Sequence, residues 1–335
     1  MKIDKKQDSN QFNFLRFFGA FLVFFGHGYV LLGSHPSTIL THSLGVYIFF
    51  GISGYLISMS WDKDPSLYRF FVRRSIRIFP ALIVCILLSA FVLGPILTTL
   101  PLSEYFSHYA FIVYLKSMFL HVSYYLPGVF DSGTVSNAVN GSLWSLPVEF
   151  LMYIAVAVIG LNKKYMKYIV LSIFIVFLFS TQLWALKTKD VFIIYGMDLK
   201  TIIYTGVYFW AGAFLYHFNL KRYFSFEIFV VTFILLIFIF QWGTLYSWMS
   251  IILIPFVVLS FGFSHSKYLG FFNKVDYSYG FYIYAFPVQQ TFAYLLPNMN
   301  LYFHLIIGFV ITLLLSSLSW HYIEKPALKF KPNRK

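Results

Sequence analysis

Charge is scarce in this chain: 11% of its 335 residues are Asp, Glu, Lys or Arg, against roughly 25% in soluble proteins. Acidic residues are fewest, 12 against 25 Lys and Arg, and there is a single cysteine, Cys85. Each shortage excludes something. A chain with 59% hydrophobic and 22% aromatic residues lacks the polar surface of a water-soluble globule and reads as a polytopic membrane protein. One thiol within an apolar run excludes an intrachain disulfide and any CxxC or zinc pattern, so Cys85 reads as an inert packing residue. The net charge of +13 does not indicate nucleic acid, because the basic residues lie in short segments between apolar runs rather than on one soluble face. No repeat or low-complexity tract is present, and no fused soluble domain is expected, since only about a dozen residues follow the last apolar run.

Long apolar runs are abundant. They fall at roughly 13–33, 43–60, 78–97, 144–160, 168–186, 201–217, 226–242, 246–263, 277–296 and 302–322, each about the length needed to cross a bilayer. The expected fold is therefore all-α, a single transmembrane domain over residues 1–335 with about ten spans. Lys2, Lys5 and Lys6 precede the first run as in a signal peptide, but that run carries Arg16 and His27 and no small-x-small cleavage site, so it is read as a retained helix. Basic residues alternate between loops: Lys116, Lys187, Lys189 and Lys200 fall on one side, and all the others, from Lys63 and Lys221 to Lys267, Arg334 and Lys335, fall on the other. By the positive-inside rule both termini are expected in the cytoplasm. Residues 98–143 form the one long outer segment, whose apolar stretch 108–121 is too short to span and reads as re-entrant or interfacial; the segment is either a lid or acceptor-binding element or a partly ordered loop with aromatic interface anchors.

Two ionisable residues stand in the first run, with ten residues between Arg16 and His27. Eleven helical steps place His27 about 20° round from Arg16 and about 16 Å along the axis, on a face shared with Gly19, Ala20 and Val23. Ionisable groups inside a membrane helix are costly and point to function. A second feature is Asn140-Gly-Ser-Leu-Trp-Ser-Leu-Pro-Val-Glu149, in which Ser142, Ser145, Glu149 and Tyr153 recur at helical spacing. Counted inward, Glu149 and His27 reach one depth, where a carboxylate would orient the imidazole for general-base work; packing against a serine or tyrosine is the other reading of Glu149. The third feature is Arg73, Arg74 and Arg77 at the entrance of the third run. These either anchor the helix on anionic lipid or bind phosphate. With Arg16 at the same level, the pattern suggests an anionic head held at the cytoplasmic mouth and a reactive end delivered to His27, as coenzyme A would be. The remaining histidines, among them His35, His42, His265 and His304, show no metal-ligand spacing.

These motifs resemble acyltransferase family 3, bacterial membrane transferases that O-acylate surface polysaccharides. The resemblance rests on Arg16 and His27, on Gly45-Val-Tyr-Ile-Phe-Phe-Gly-Ile-Ser-Gly54, on Arg73-Arg-Ser-Ile-Arg-Ile-Phe-Pro80 and on Ser142-Leu-Trp-Ser-Leu-Pro-Val-Glu149, with weaker echoes from Asp276 and in His321-Tyr-Ile-Glu-Lys-Pro326. It implies a ten-helix domain, a cytoplasmic acyl-coenzyme A donor and essential roles for Arg16 and His27. Many relatives carry Asp where this chain has Tyr47 and His where it has Ala285, so neither of those groups carries over.

The expected function is that of an O-acyltransferase of the bacterial inner membrane, specifically an O-acetyltransferase. It would move the acyl group of acetyl-coenzyme A, or another acyl-coenzyme A, to a hydroxyl of a cell-surface or lipid-linked glycan such as an exopolysaccharide or O-antigen. His27, Glu149 and Arg16 are the candidate catalytic residues, and Arg73, Arg74 and Arg77 the candidate donor-binding ones. No metal is expected. The expected partners are membrane lipid, the glycan acceptor and polysaccharide-assembly proteins. A proton-coupled exporter of a glycan or organic anion is the alternative, since such machines use intramembrane Arg, His and Glu; no inverted repeat supports it. Gln289 and Gln290 are read as acceptor ligands or interhelical hydrogen bonders, Ser53 as a close-packing residue and Glu324 as a helix-end residue.

Overall fold

The computed structural model describes residues 11–34, 42–187, 192–264, 269, 271–272 and 274–333. Lys2, Lys5, Lys6, His35, Lys189, His265, Lys267, Arg334 and Lys335 lie outside them. Each apolar run is helical: α1 Phe12–Leu31, α2 His42–Lys63, α3 Leu67–Leu97, α4 Ser145–Gly160, α5 Met166–Lys187, α6 Leu199–His217, α7 Phe226–Ile239, α8 Gly243–Phe263, α9 Ser278–Leu295 and α10 Leu301–Leu328. Among the described residues, α1, α2, α3, Met166–Leu183 of α5, α8 and α10 are the 6 long and apolar enough to cross a membrane. The chain is a helical, multi-pass membrane protein.

The outward faces explain the composition. Along α10, Tyr302, Phe303, Ile306, Val310 and Leu314 recur at helical spacing and are all exposed, as are Val231 and Ile234 on α7. Helices satisfy their own backbone hydrogen bonds, so such a greasy exterior is stable only in lipid. Inside, α2 packs most extensively against α6, and α1 lies against α2 and α9. The α2–α6 contact is possible because a side chain on Gly54 would collide with the Phe209 carbonyl, and one on Gly212 with the Gly51 carbonyl. Small residues thus bring backbones together where no hydrophobic force between helices exists.

Two helices are locally widened. A π-helical turn at Ser89–Leu93 interrupts α3, and a second at Trp320–Glu324 interrupts α10. The extra residue of such a turn re-aims the side chains around it, and Trp320 and Glu324 both end up buried. Pro147 falls in the first turn of α4, where its missing N–H costs no helical bond.

The segment 98–143 is packed rather than loose. Helices Leu102–Ser107 and Tyr109–Leu115 bury Tyr105 and Tyr114, and the following stretch buries Leu126, Val129, Phe130 and Val139. Between α5 and α6 the chain forms a hairpin of β1 Ile193–Ile194 and β2 Met197–Asp198. Its two turn residues, Tyr195 and Gly196, both have positive φ, 50° and 76°, the left-handed pairing that suits a two-residue hairpin. Asp198 then accepts the Lys200 N–H at 3.0 Å and starts α6.

Candidate functional site

Among the described residues, the candidate side chains line two cavities. The first, about 310 Å³, is lined by Arg16 of α1, Ser53 of α2, Arg73, Arg74 and Arg77 of α3, Ser145, Glu149 and Tyr153 of α4, Asp276 and Tyr282 beside and on α9, and Lys331 after α10. Five cations face two carboxylates there. The second, about 680 Å³, is lined by His27, His42, Tyr47, Tyr124, Trp144, Asp198, Lys200, Tyr204 and Phe286.

The cations of the first cavity are not equivalent. Arg77 donates to Asp276 at 2.6 Å and lies 3.8 Å from Glu324, which also accepts Ser319 at 2.9 Å. Arg73 donates to Asp64 at 2.7 Å, and Arg69 grips the same carboxylate, which joins the α2–α3 connection to α3. Arg74 reaches only the Ser60 hydroxyl, at 3.3 Å, with its guanidinium 6.0 Å from the Tyr153 ring centre. Arg16 donates to the Asn13 side chain at 3.2 Å. Among the described residues, neither Arg16 nor Arg74 has a carboxylate partner. These two charges are available to an incoming anion.

The groups outside the spans respond to this field. Hydrogen bonds from Arg69 and Arg73 hold the Asp64 carboxyl well below the usual carboxylate range. Burial opposes the charge of Asp276, but Arg77, Arg16 and the bonds from Ser278 outweigh it and keep that carboxyl low. Lys331 is pushed down to about 8, first by partial burial and then by Arg77, Arg74 and Arg16.

The expected pairing of Glu149 with His27 is not what the structure shows. Glu149 Oε1 accepts the Ser53 hydroxyl at 2.6 Å and the Tyr153 hydroxyl at 2.5 Å, within the arginine-lined cavity. His27 opens into the other cavity, its ring stacked on His42 at 5.7 Å and edge-on to Phe286 at 5.1 Å, with Nδ1 buried and unbonded. The reason is lateral. Equal depth along two helices brings side chains together only if the helices are neighbours and turned toward each other, and α4 packs on α2 and α6. Arg16 and His27 do share the face expected of them, and each opens into a different cavity.

Other expectations sort as follows. Ser53 is a hydrogen-bond partner of Glu149 rather than only a packing residue. Glu324 belongs to the Arg77 ion cluster rather than to a helix end at the interface. Gln289 donates to the Phe24 carbonyl at 3.1 Å and Gln290 to the Val135 carbonyl at 2.6 Å, the interhelical and loop bonds that were one of their two readings. Val122, Tyr124 and Val135 of the segment 98–143 line the His27 cavity. His42 and Lys331 carry no functional signal in the sequence, and Asp276 enters it only as the start of one of the weaker family echoes. Among the described residues, no three His, Cys, Asp or Glu side chains converge as a metal site would.

Comparison with known proteins supplies independent findings. A family model described as an acyltransferase domain matches residues 9–321. The chain is 33% identical over 328 residues, 95% of each chain, to an O-acetyl transferase of Shigella phage Sf6. It is 34% identical over 155 residues, 43% of this chain and 42% of the other, to nodulation protein 10 of Rhizobium leguminosarum bv. viciae. No solved structure matches the chain significantly.

Proposed function

The chain belongs to acyltransferase family 3 and is a membrane acyltransferase; from that premise we propose that it O-acetylates a hydroxyl of a cell-surface or lipid-linked glycan, with acetyl-coenzyme A as donor. The observation that carries this reading is the pair of cavities arranged along one face of α1, the cation-rich one at Arg16 and the aromatic-lined one at His27.

Arg16 and Arg74, which have no carboxylate partner among the described residues, suit the phosphates of the donor, and Lys331 adds charge at the rim. Arg77 and Arg73 hold the walls through their ion pairs. The basic loops belong on the cytoplasmic side, so the donor enters from the cytoplasm, both termini lie there, and about ten helices span the bacterial inner membrane. The aromatic lining of the second cavity, Tyr47, Tyr124, Trp144 and Tyr204, suits a sugar ring presented from the outside. There His27 takes the proton of the acceptor hydroxyl as its oxygen attacks the thioester carbonyl; the coenzyme A thiolate leaves and recovers that proton. General-base catalysis of this kind contributes about 10²- to 10⁴-fold. Glu149 works on the donor side, where it fixes Ser53 and Tyr153 and balances Arg16 and Arg74.

The test is the acetate content of surface polysaccharide from a deletion strain complemented with wild type or His27→Ala. Acetate returns with the wild type and stays absent with the variant. Normal acetylation by a variant protein that accumulates at wild-type level overturns the assignment.

A further inference from the structure

The two cavities share one lining residue, Val46. Both α2 and α4 contribute to each space. On α2, Tyr47 lines the His27 cavity while Phe49, Phe50 and Ser53 line the arginine cavity; Trp144 just before α4 and Pro147 and Val148 on it line the His27 cavity, Ser145 and Leu146 the arginine cavity. Among the described residues only Val46 lines both, with 4% of its surface exposed.

Its position is held by its neighbour. A side chain on Gly45 would collide with the Gly19 carbonyl and lie 2.8 Å from the Val23 methyl. Gly45 therefore packs directly on the α1 backbone, between the levels of Arg16 and His27. A β-branched residue adjoining such a contact has little rotamer freedom and no room for the helix to retreat. Val46 is a narrow, stiff partition at the height where an acyl group held by the first cavity would have to reach His27.

We propose that Val46 is the septum that sizes the acyl group passing from the arginine-lined cavity to His27, so that this residue sets the preference for a two-carbon acyl chain. The proposal rests on the acyl-transfer reading above and adds to it the residue that selects among donors. A longer chain must place extra methylenes against the isopropyl group, and a single methylene in a tight apolar pocket is worth about 10- to 200-fold in specificity.

The experiment uses wild type, Val46→Ala and Val46→Phe in membrane vesicles of the glycan-producing bacterium, supplied with labelled acetyl-, butyryl- or hexanoyl-coenzyme A. Two quantities are read: alkali-labile label in the glycan, and coenzyme A binding to the purified full-length protein by calorimetry. Val46→Ala raises the butyryl-to-acetyl ratio about tenfold or more, and Val46→Phe lowers acetyl transfer by about the same factor, with coenzyme A affinity within about threefold of wild type in both. Val46→Ala removes only two methyl groups, so it carries the test if Val46→Phe does not fold. Unchanged chain-length ratios and acetyl rates in variants that still bind coenzyme A overturn the septum. Failure of the wild type itself to bind coenzyme A or to transfer label overturns the acyl-transfer reading instead, and the two results cannot be confused.

Discussion

The arrangement of cations in the first cavity makes one sharply divided prediction: Arg74→Ala weakens donor binding with little loss of stability, and Arg77→Ala does the reverse. Arg74 is half-buried, lines the cavity and touches only a hydroxyl and two aromatic rings. A charge-assisted hydrogen bond to phosphate is worth about 1.5–3 kcal/mol, which corresponds to roughly 10- to 150-fold in Kd at 1.4 kcal/mol per decade. Arg77 is already engaged by Asp276 at 2.6 Å and Glu324 at 3.8 Å, both carboxylates being nearly inaccessible. Removing it strands the buried Asp276 carboxylate and leaves Glu324 without its cation, and breaking such a buried pair costs about 3–5 kcal/mol of stability. Calorimetry with coenzyme A and thermal melts in one detergent give both quantities. Arg74→Ala is expected to raise Kd by about 10- to 100-fold at an almost unchanged melting temperature and to flatten the dependence of Kd on salt. Arg77→Ala is expected to melt well below wild type. Equal losses of affinity in the two variants, with equal melting temperatures, would refute the division of the cluster into free and engaged charges.

Two further predictions follow from the same cavities. Lys331, at about 8, is charged at pH 7 and largely neutral at pH 9; an anion in the cavity raises its proton affinity, so binding takes up protons and weakens as pH rises through 8. Because the side chain still reaches solvent, the change is modest, about 3- to 10-fold, and calorimetry in buffers of different ionisation enthalpy should show it in the wild type but not in Lys331→Arg. Glu149→Gln should lower activity about tenfold or more by disturbing the Ser53 and Tyr153 bonds without moving the acidic limb of the pH–rate profile; a shift in that limb would restore Glu149 as the partner of His27.

The main chemical elements were legible in the linear chain. Composition, the apolar runs and their spacing made the protein a helical membrane protein, because a long apolar segment has few ways to satisfy its backbone in lipid except as a helix. Helical periodicity also put Arg16 and His27 on one face of α1, since that relation depends on local geometry alone. Relations between helices were another matter. That Glu149 meets Ser53 rather than His27, that Glu324 closes on Arg77 after a π-helical turn, and that among the described residues Arg73 and Arg77 have carboxylate partners while Arg74 and Arg16 do not, all depend on which helices touch and how each is rotated. Glycine contacts such as Gly54 on Phe209 and Gly45 on Gly19 set those rotations, across separations that no local pattern encodes. The sequence by itself determined that the chain is a helical membrane protein and which ionisable residues fall within its apolar runs. Tertiary packing alone decided that they divide between two cavities meeting at Val46, because a cavity is the space that neighbouring helices leave between them.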